Sequence, residues 1–196
     1  MPSQTPPPDV PGRQKRTDAL RNEQTLLAAA AEVFVASGVD APIREIAARA
    51  GVGVGTIYRH FPTRADLVIA VYRHQVDACA QAGAALLASS TPAAAALQQW
   101  VDGFVDFLIT KHGLADMLRS DGDRFGPLHA YFLDRLVPVC AALLDAAIEA
   151  GAVKRKFGAY ELMRAVGNLC IGGGDDARYE PRRAVDVLLH GLLAKQ

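Results

Sequence analysis

Residues 43–61 read IREIAARAGVGVGTIYRHF, and the spacing inside this stretch decides the fold. A helix-turn-helix needs a small residue where its two helices cross, a residue tolerant of positive φ in the turn four positions later, and apolar groups on both inner faces. Ala47, Gly51, Ile46, Val52 and Ile57 supply these at matching offsets. With Ile46, Val52 and Ile57 turned inwards, the step of about 100° per residue carries Val54, Gly55, Thr56, Tyr58, Arg59 and His60 partly or wholly outwards. Such a face lies in or beside a DNA major groove, where backbone contacts position a protein and side chains read base edges. Phe61 reads as a core anchor, and Tyr58 as a surface residue with a phosphate-binding hydroxyl in preference to a core aromatic.

Working outwards, Leu26, Leu27, Ala30, Val33 and Phe34 form one stripe of a helix expected from Arg16 to Ser37-Gly38. Residues 1–12, with five prolines, are expected to be a disordered tail, and Arg13, Lys15 and Arg16 to be a solvated run or a minor-groove arm. Downstream, Thr63 with Asp66 three residues on predicts a capping box. The helix it opens carries Leu67, Val71, Ala78, Ala82 and Leu86 and ends near Ser89. A helix started by Thr91-Pro92 carries Leu97, Val101, Phe104, Val105 and Leu108 and closes at Gly113. Residues 120–127 read as loop, and Leu133 to Ile148 as a long buried helix interrupted by Pro138. Two regular helices end the chain, with residues 172–176 linking them. No segment alternates with period two, so the expected fold is all-α, with about nine helices.

Composition narrows the function. The 196 residues carry no formal net charge, 51% are hydrophobic and 21% charged, which excludes both a basic nucleic-acid coat and an acidic disordered protein. Any nucleic-acid binding is therefore local: residues 1–75 hold nine basic and seven acidic groups, a net of +2, against −2 for the rest. Cys79, Cys140 and Cys170 are odd in number and widely spaced, so they read as small apolar residues in a reducing compartment. Without a long uncharged apolar run or a signal core, the protein is expected to be cytoplasmic. Phosphate-binding glycine loops, HExxH, metal-ligand spacings and Gly-x-Ser-x-Gly are absent, so neither an enzyme nor a cofactor nor a metal is expected.

The sequence resembles the TetR family of one-component bacterial transcriptional regulators. The resemblance rests on Ile46-Ala47, Ala50-Gly51-Val52, Gly55-Thr56-Ile57-Tyr58, His60-Phe61 and the basic Arg64, and is close over residues 16–75. It implies that Thr56, Tyr58 and His60 hold DNA phosphates and that Arg59 and Val54 meet base edges. It also places Arg44 near the DNA backbone and counts Arg64, which stands where the family usually has Lys at the start of a linking helix, among the DNA-binding residues. Pro42 and Gly53 replace the usual Ser or Thr caps, which weakens local order without breaking the motif.

The expected organisation is a helix-turn-helix domain at residues 13–62 and an effector-binding and dimerisation domain at 63–196. A single reading helix makes too few contacts for specificity, so a homodimer on a palindrome is expected. Leu162, Val166, Leu169, Val185, Leu188, Leu189 and Leu192 on the last two helices are its candidate interface, building a four-helix bundle with their symmetry mates; the alternative is that they complete the monomer core. By the family resemblance an effector binds between the middle helices, and Trp100, Phe104, His129 and Phe132 are the candidate ligand contacts for a largely apolar small molecule. The expectation is a repressor released from its operator by that molecule. An activator of the same fold, or an all-helical ligand-binding protein or enzyme that leaves DNA alone, is the alternative.

Overall fold

The computed structural model describes residues 11–112, 122–153, 157–171 and 178–193. Residues 1–10 of the expected tail, Gly113, Ser120 and the 172–176 link lie outside them. The described residues form eight helices: α1 (Pro11–Ser37), α2 (Ile43–Ala50), α3 (Val54–His60), α4 (Arg64–Ala88), α5 (Ala93–His112), α6 (Gly122–Glu149), α7 (Ala159–Ile171) and α8 (Pro181–Leu192). Apart from an isolated antiparallel bridge between Val153 and Leu193, they contain no strand pairing.

α1 starts five residues earlier than Arg16, with Pro11 as its first residue. Proline's fixed φ suits that position, where its missing N–H has no helical partner to lose. α1 then buries Leu26, Leu27, Ala30, Val33 and Phe34, the stripe read from the sequence, against α2 and α4. At the end of α2, Gly51 takes φ 67°, and the N–H groups of Gly51 and Val52 reach back to the carbonyls of Ala48 and Ala47 at 3.3 and 3.0 Å. This is a Schellman ending, which satisfies two orphan carbonyls and turns the chain into α3. Ile46, Ala47 and Ile57 are closed off from solvent at the crossing.

α4 is capped by Thr63 and Asp66 in a reciprocal capping box. Its buried side is Leu67, Val68, Val71, Tyr72, Val76, Ala80 and Gly83. This corrects the expected stripe: Ala78 and Ala82 are exposed, because α4 is gripped by α6 along its Val76, Ala80 and Gly83 side. Gly83 is required there, since a Cβ would stand 2.2 Å from Val139 Cγ1 and 2.8 Å from Trp100 Cδ1.

α6 corrects the expected 120–127 loop from Gly122 onwards, and runs through both Pro127 and Pro138. Both prolines face solvent, where water can take the carbonyl that each leaves unbonded. Its inner side, Leu128, Phe132, Leu136, Cys140, Leu143 and Leu144, is buried in the part of the core shared with α4, α5 and α7.

The candidate interface residues need a second correction. Leu162, Val166, Val185 and Leu189 are all 1% exposed or less within one protomer, where α7 packs on α5 and α6, and α8 on α7 and α5. Leu169, Leu188 and Leu192 are half-buried against the same core. An apolar stripe marks the face a helix turns to its own domain first. The exposed apolar groups on these helices are others, Tyr160 at 49% and Val187 at 70%.

Candidate nucleic-acid interface and ligand cleft

α3 presents its outer side as the sequence requires. Val54, Gly55, Tyr58, Arg59 and His60 are exposed and Thr56 is half-buried, while Ile57 is sealed inside. Gly53 caps the helix without a side-chain bond, as Pro42 does for α2, so neither helix start projects a polar cap beside this face. A Cβ at Gly55 would meet nothing within 4 Å, which leaves the helix backbone there open to a close partner.

Arg59 lies folded along its own helix, its Nε donating to the Gly55 carbonyl and its Nη2 to Thr56 Oγ1, each at 3.2 Å. These long, exposed bonds are readily exchanged for stronger ones to base edges or phosphates. Arg44 is exposed on the neighbouring α2. Arg49, by contrast, is held by Glu32 on α1, its Nε 2.7 Å from Oε2.

Arg64 stands apart from this face. Half-buried, it donates through Nε to the Val39 carbonyl at 2.8 Å and through Nη2 to the carbonyls of Val39 and Ala41. Its planar fork ties the first turn of α4 to the loop between α1 and α2, which a lysine's single ammonium would do less rigidly. Ser37 Oγ donates to Glu45 Oε1 at 2.8 Å, a second tie between α1 and α2. Sequence spacing brings Arg44 and the α3 residues together, but only the structure shows Arg64 as a clamp behind them.

The four candidate ligand contacts do assemble, though mostly not around a space. Trp100, Phe104, Phe132 and His129 form a continuous stack with ring centroids 5.5, 5.9 and 6.1 Å apart, and Phe107 and Tyr72 extend it. Phe104 and Phe132 are buried core, and His129 is exposed at its end. Only Trp100 of the four borders an open cleft of about 310 Å³ between α4 and α5. Its indole Nε1 donates to the Cys79 carbonyl at 3.1 Å, which fixes the ring.

Sequence reasoning missed the cleft's other polar lining, Gln75 on α4 and Gln99 and Asp106 on α5. The available signal was a helical run of small residues, Ala78, Cys79 and Ala82 on α4, set against Gly103 on α5. Side chains that short leave a gap where two helices cross. Gln75 Oε1 is buried and accepts no hydrogen bond among the described residues. An unpaired buried acceptor of this kind costs about 1–3 kcal/mol.

All three cysteines are free thiols. Burial pushes the Cys79 and Cys140 thiols up to about 12, and raises Cys170 as well, so none supplies a thiolate near neutral pH. On the side of α4 facing α6, the Tyr131 hydroxyl donates to Asp77 at 2.8 Å, Arg135 Nε does so at the same distance, and Arg73 sits 5.3 Å above the Tyr131 ring. α4 is thus bonded to the loop between α1 and α2 through Arg64 and to α6 through Asp77.

Known proteins match both parts. Residues 26–71 fit the family described as bacterial regulatory proteins of the tetR family, and residues 91–194 fit the C-terminal domain of SbtR-like transcriptional regulators. The crystal structure of the TetR transcriptional regulator SCO0520 from Streptomyces coelicolor is 34% identical, covers 89% of this chain and 99% of its own, and superposes with a TM-score of 0.75. A TetR regulatory protein from Mycobacterium vanbaalenii is 33% identical over 91% of this chain and 99% of its own, with a TM-score of 0.68. The HTH-type transcriptional activator FasR of Mycolicibacterium smegmatis is 38% identical over 101 residues, 50% of this chain and 46% of FasR. The chain spans about half the length of that curated relative.

Proposed function

Because the chain belongs to the TetR family of bacterial transcriptional regulators, we propose that it is a homodimeric, ligand-released repressor acting on a palindromic operator. The observation that carries this reading is the exposed side of α3, where Val54, Tyr58 and Arg59 stand clear of a helix pinned from behind by Ile57. In the complex Arg59 leaves Gly55 and Thr56 for a base edge, beside Val54. Thr56, Tyr58 and His60, with Arg44 on α2, grip phosphates. Gly55 lets the helix backbone approach closely. Arg64 acts behind the interface, holding α4 to the reading unit.

Two copies pair through the outward faces of α7 and α8, with Tyr160 and Val187 in contact and the half-buried Leu188 and Leu192 at the margin. Pairing sets two α3 helices about 34–36 Å apart, one turn of DNA. A ligand in the α4–α5 cleft releases DNA only by favouring an α4 position in which that separation is wrong, since equal affinity for both states shifts nothing. α4 is suited to this because one helix carries the Arg64 clamp at its start and the cleft wall from Gln75 to Leu86. Activation of transcription, the role named for FasR, requires the same operator contacts and is the second reading.

Selection of bound sequences from random duplex DNA tests the proposal. Enrichment of a two-fold symmetric site, re-specified or abolished in Arg59→Ala, is expected. Recovery of unrelated sequences by both proteins would remove DNA reading from this chain.

A further inference from the structure

α3 leaves an aliphatic side chain in solvent among polar neighbours. Val54 is 39% exposed, and Val54 and Tyr58 are the large hydrophobic side chains exposed on α2 and α3. Tyr58 has a hydroxyl to engage a phosphate, whereas Val54 has nothing that donates or accepts. The crossing of the two helices is filled without it, by Ile46, Ala47 and Ile57, all buried. Its flanks are bare: Gly53 and Gly55 stand on either side, and a Cβ at either would meet nothing within 4 Å. Val54 therefore projects beyond its sequence neighbours, and the floor of a groove can reach it with no side chain in the way. One turn on, Tyr58 shares its side of the helix, and Arg59 folds back over Gly55, its Nε donating to that carbonyl at 3.2 Å. The aliphatic group thus stands beside the cationic fork on the surface proposed to read sequence.

An apolar side chain pressed on a polar base edge removes water and returns no hydrogen bond. In the major groove guanine shows N7 and O6, adenine N7 and N6, cytosine N4 and thymine O4, all polar, and thymine alone adds a methyl, on C5. We propose that Val54 reads this methyl, so that each half-site of the operator holds a thymine opposite the first turn of α3. A β-branched residue suits the task, because its restricted χ1 presents the two methyl groups with little rotamer freedom to lose. The inference rests on the reading of α3 as the DNA-reading helix.

The experiment uses the full-length protein and the operator obtained by selection. Each thymine is replaced in turn, in both half-sites, by deoxyuridine, which keeps every hydrogen-bonding group and removes only the methyl. One position is expected to weaken binding by about fourfold per half-site, hence about sixteenfold for the symmetric pair. In Val54→Ser the thymine and deoxyuridine operators should bind within about twofold of each other, whereas Val54→Ile should keep the parent's difference. Affinity for random duplex at low salt should be equal in the parent and both variants, since Val54 contacts no phosphate, and this separates a lost contact from a lost fold. A selected half-site without thymine, no position sensitive to the methyl, or a methyl effect unchanged in Val54→Ser overturns the proposal. Each of those results leaves sequence reading by α3 in place, because an operator has been selected. Failure to select any operator overturns both.

Discussion

Helices α2 and α3 leave the residues proposed to meet DNA in solvent, whereas α4 and α5 turn the residues proposed to hold a ligand towards each other across a cleft. Both pairs are organised by the same rule, that apolar positions at helical spacing face the core of their own unit. In α3 that rule buries Ile57 and so exposes Tyr58 and Arg59, and the proposed reading surface is what remains outside. Along α4 and α5 it buries Tyr72 and Phe104, and the proposed ligand site is where small side chains fail to fill the crossing. A burial pattern therefore locates a surface site by elimination, but locates an internal site only through its gaps.

The largest expected effect separates core from partner face at the C-terminal end. Leu189→Ala, at a position 0% exposed, should cost about 2–5 kcal/mol in urea unfolding. Val187→Asp, at a position 70% exposed, should change protomer stability by under about 0.5 kcal/mol while shifting the sedimentation profile towards monomer. The opposite assignment of effects would show that the last helix faces its partner with the side described here as core.

Next comes a pair of glycines. Gly83→Ala forces a Cβ against Val139 and Trp100 and should destabilise the fold by about 1–3 kcal/mol and change Trp100 emission. Gly55→Ala, whose Cβ meets nothing, should leave stability unchanged or raise it by up to about 1 kcal/mol while reducing operator affinity. Thr63→Ala removes the capping box between the two units and should cost about 1 kcal/mol by thermal unfolding, with Thr63→Ser restoring most of it.

The smallest effect concerns pH. Burial lowers the His74 imidazole below its ordinary 6.5, against an opposing pull from Asp77. The native state thus binds this proton less well than the unfolded chain does. Stability from the neutral ring is present above about 6.5 and falls as the pH drops below it. Melting temperatures at pH 7.5 and 5.5 should differ less in His74→Gln than in the parent.

The reading unit was legible because its constraints are local. Ala47, Gly51 and Ile57 lie within eleven residues, and each has one structural duty that spacing alone reveals. Arg64 was read among the DNA-binding residues, and its tie to the Val39 and Ala41 carbonyls was not legible because they lie more than twenty residues back in the chain. Aromatic residues drew attention to Phe104 and Phe132, which are core. Gln75 was passed over, because an orphan acceptor exists only once two helices have closed around it. The same limit explains Leu162, Val166, Val185 and Leu189: their periodicity shows that a face is buried, and only the packing shows by what.

The most direct test of the account compares specific and non-specific DNA affinity for the parent, Arg59→Ala and Tyr58→Phe, at two salt concentrations. Arg59→Ala should lose about 1–3 kcal/mol on the operator and little on random duplex, so that the specificity ratio collapses, while Tyr58→Phe should weaken both DNAs equally. An unchanged ratio in Arg59→Ala would contradict the assignment of α3's exposed side as the surface that reads sequence.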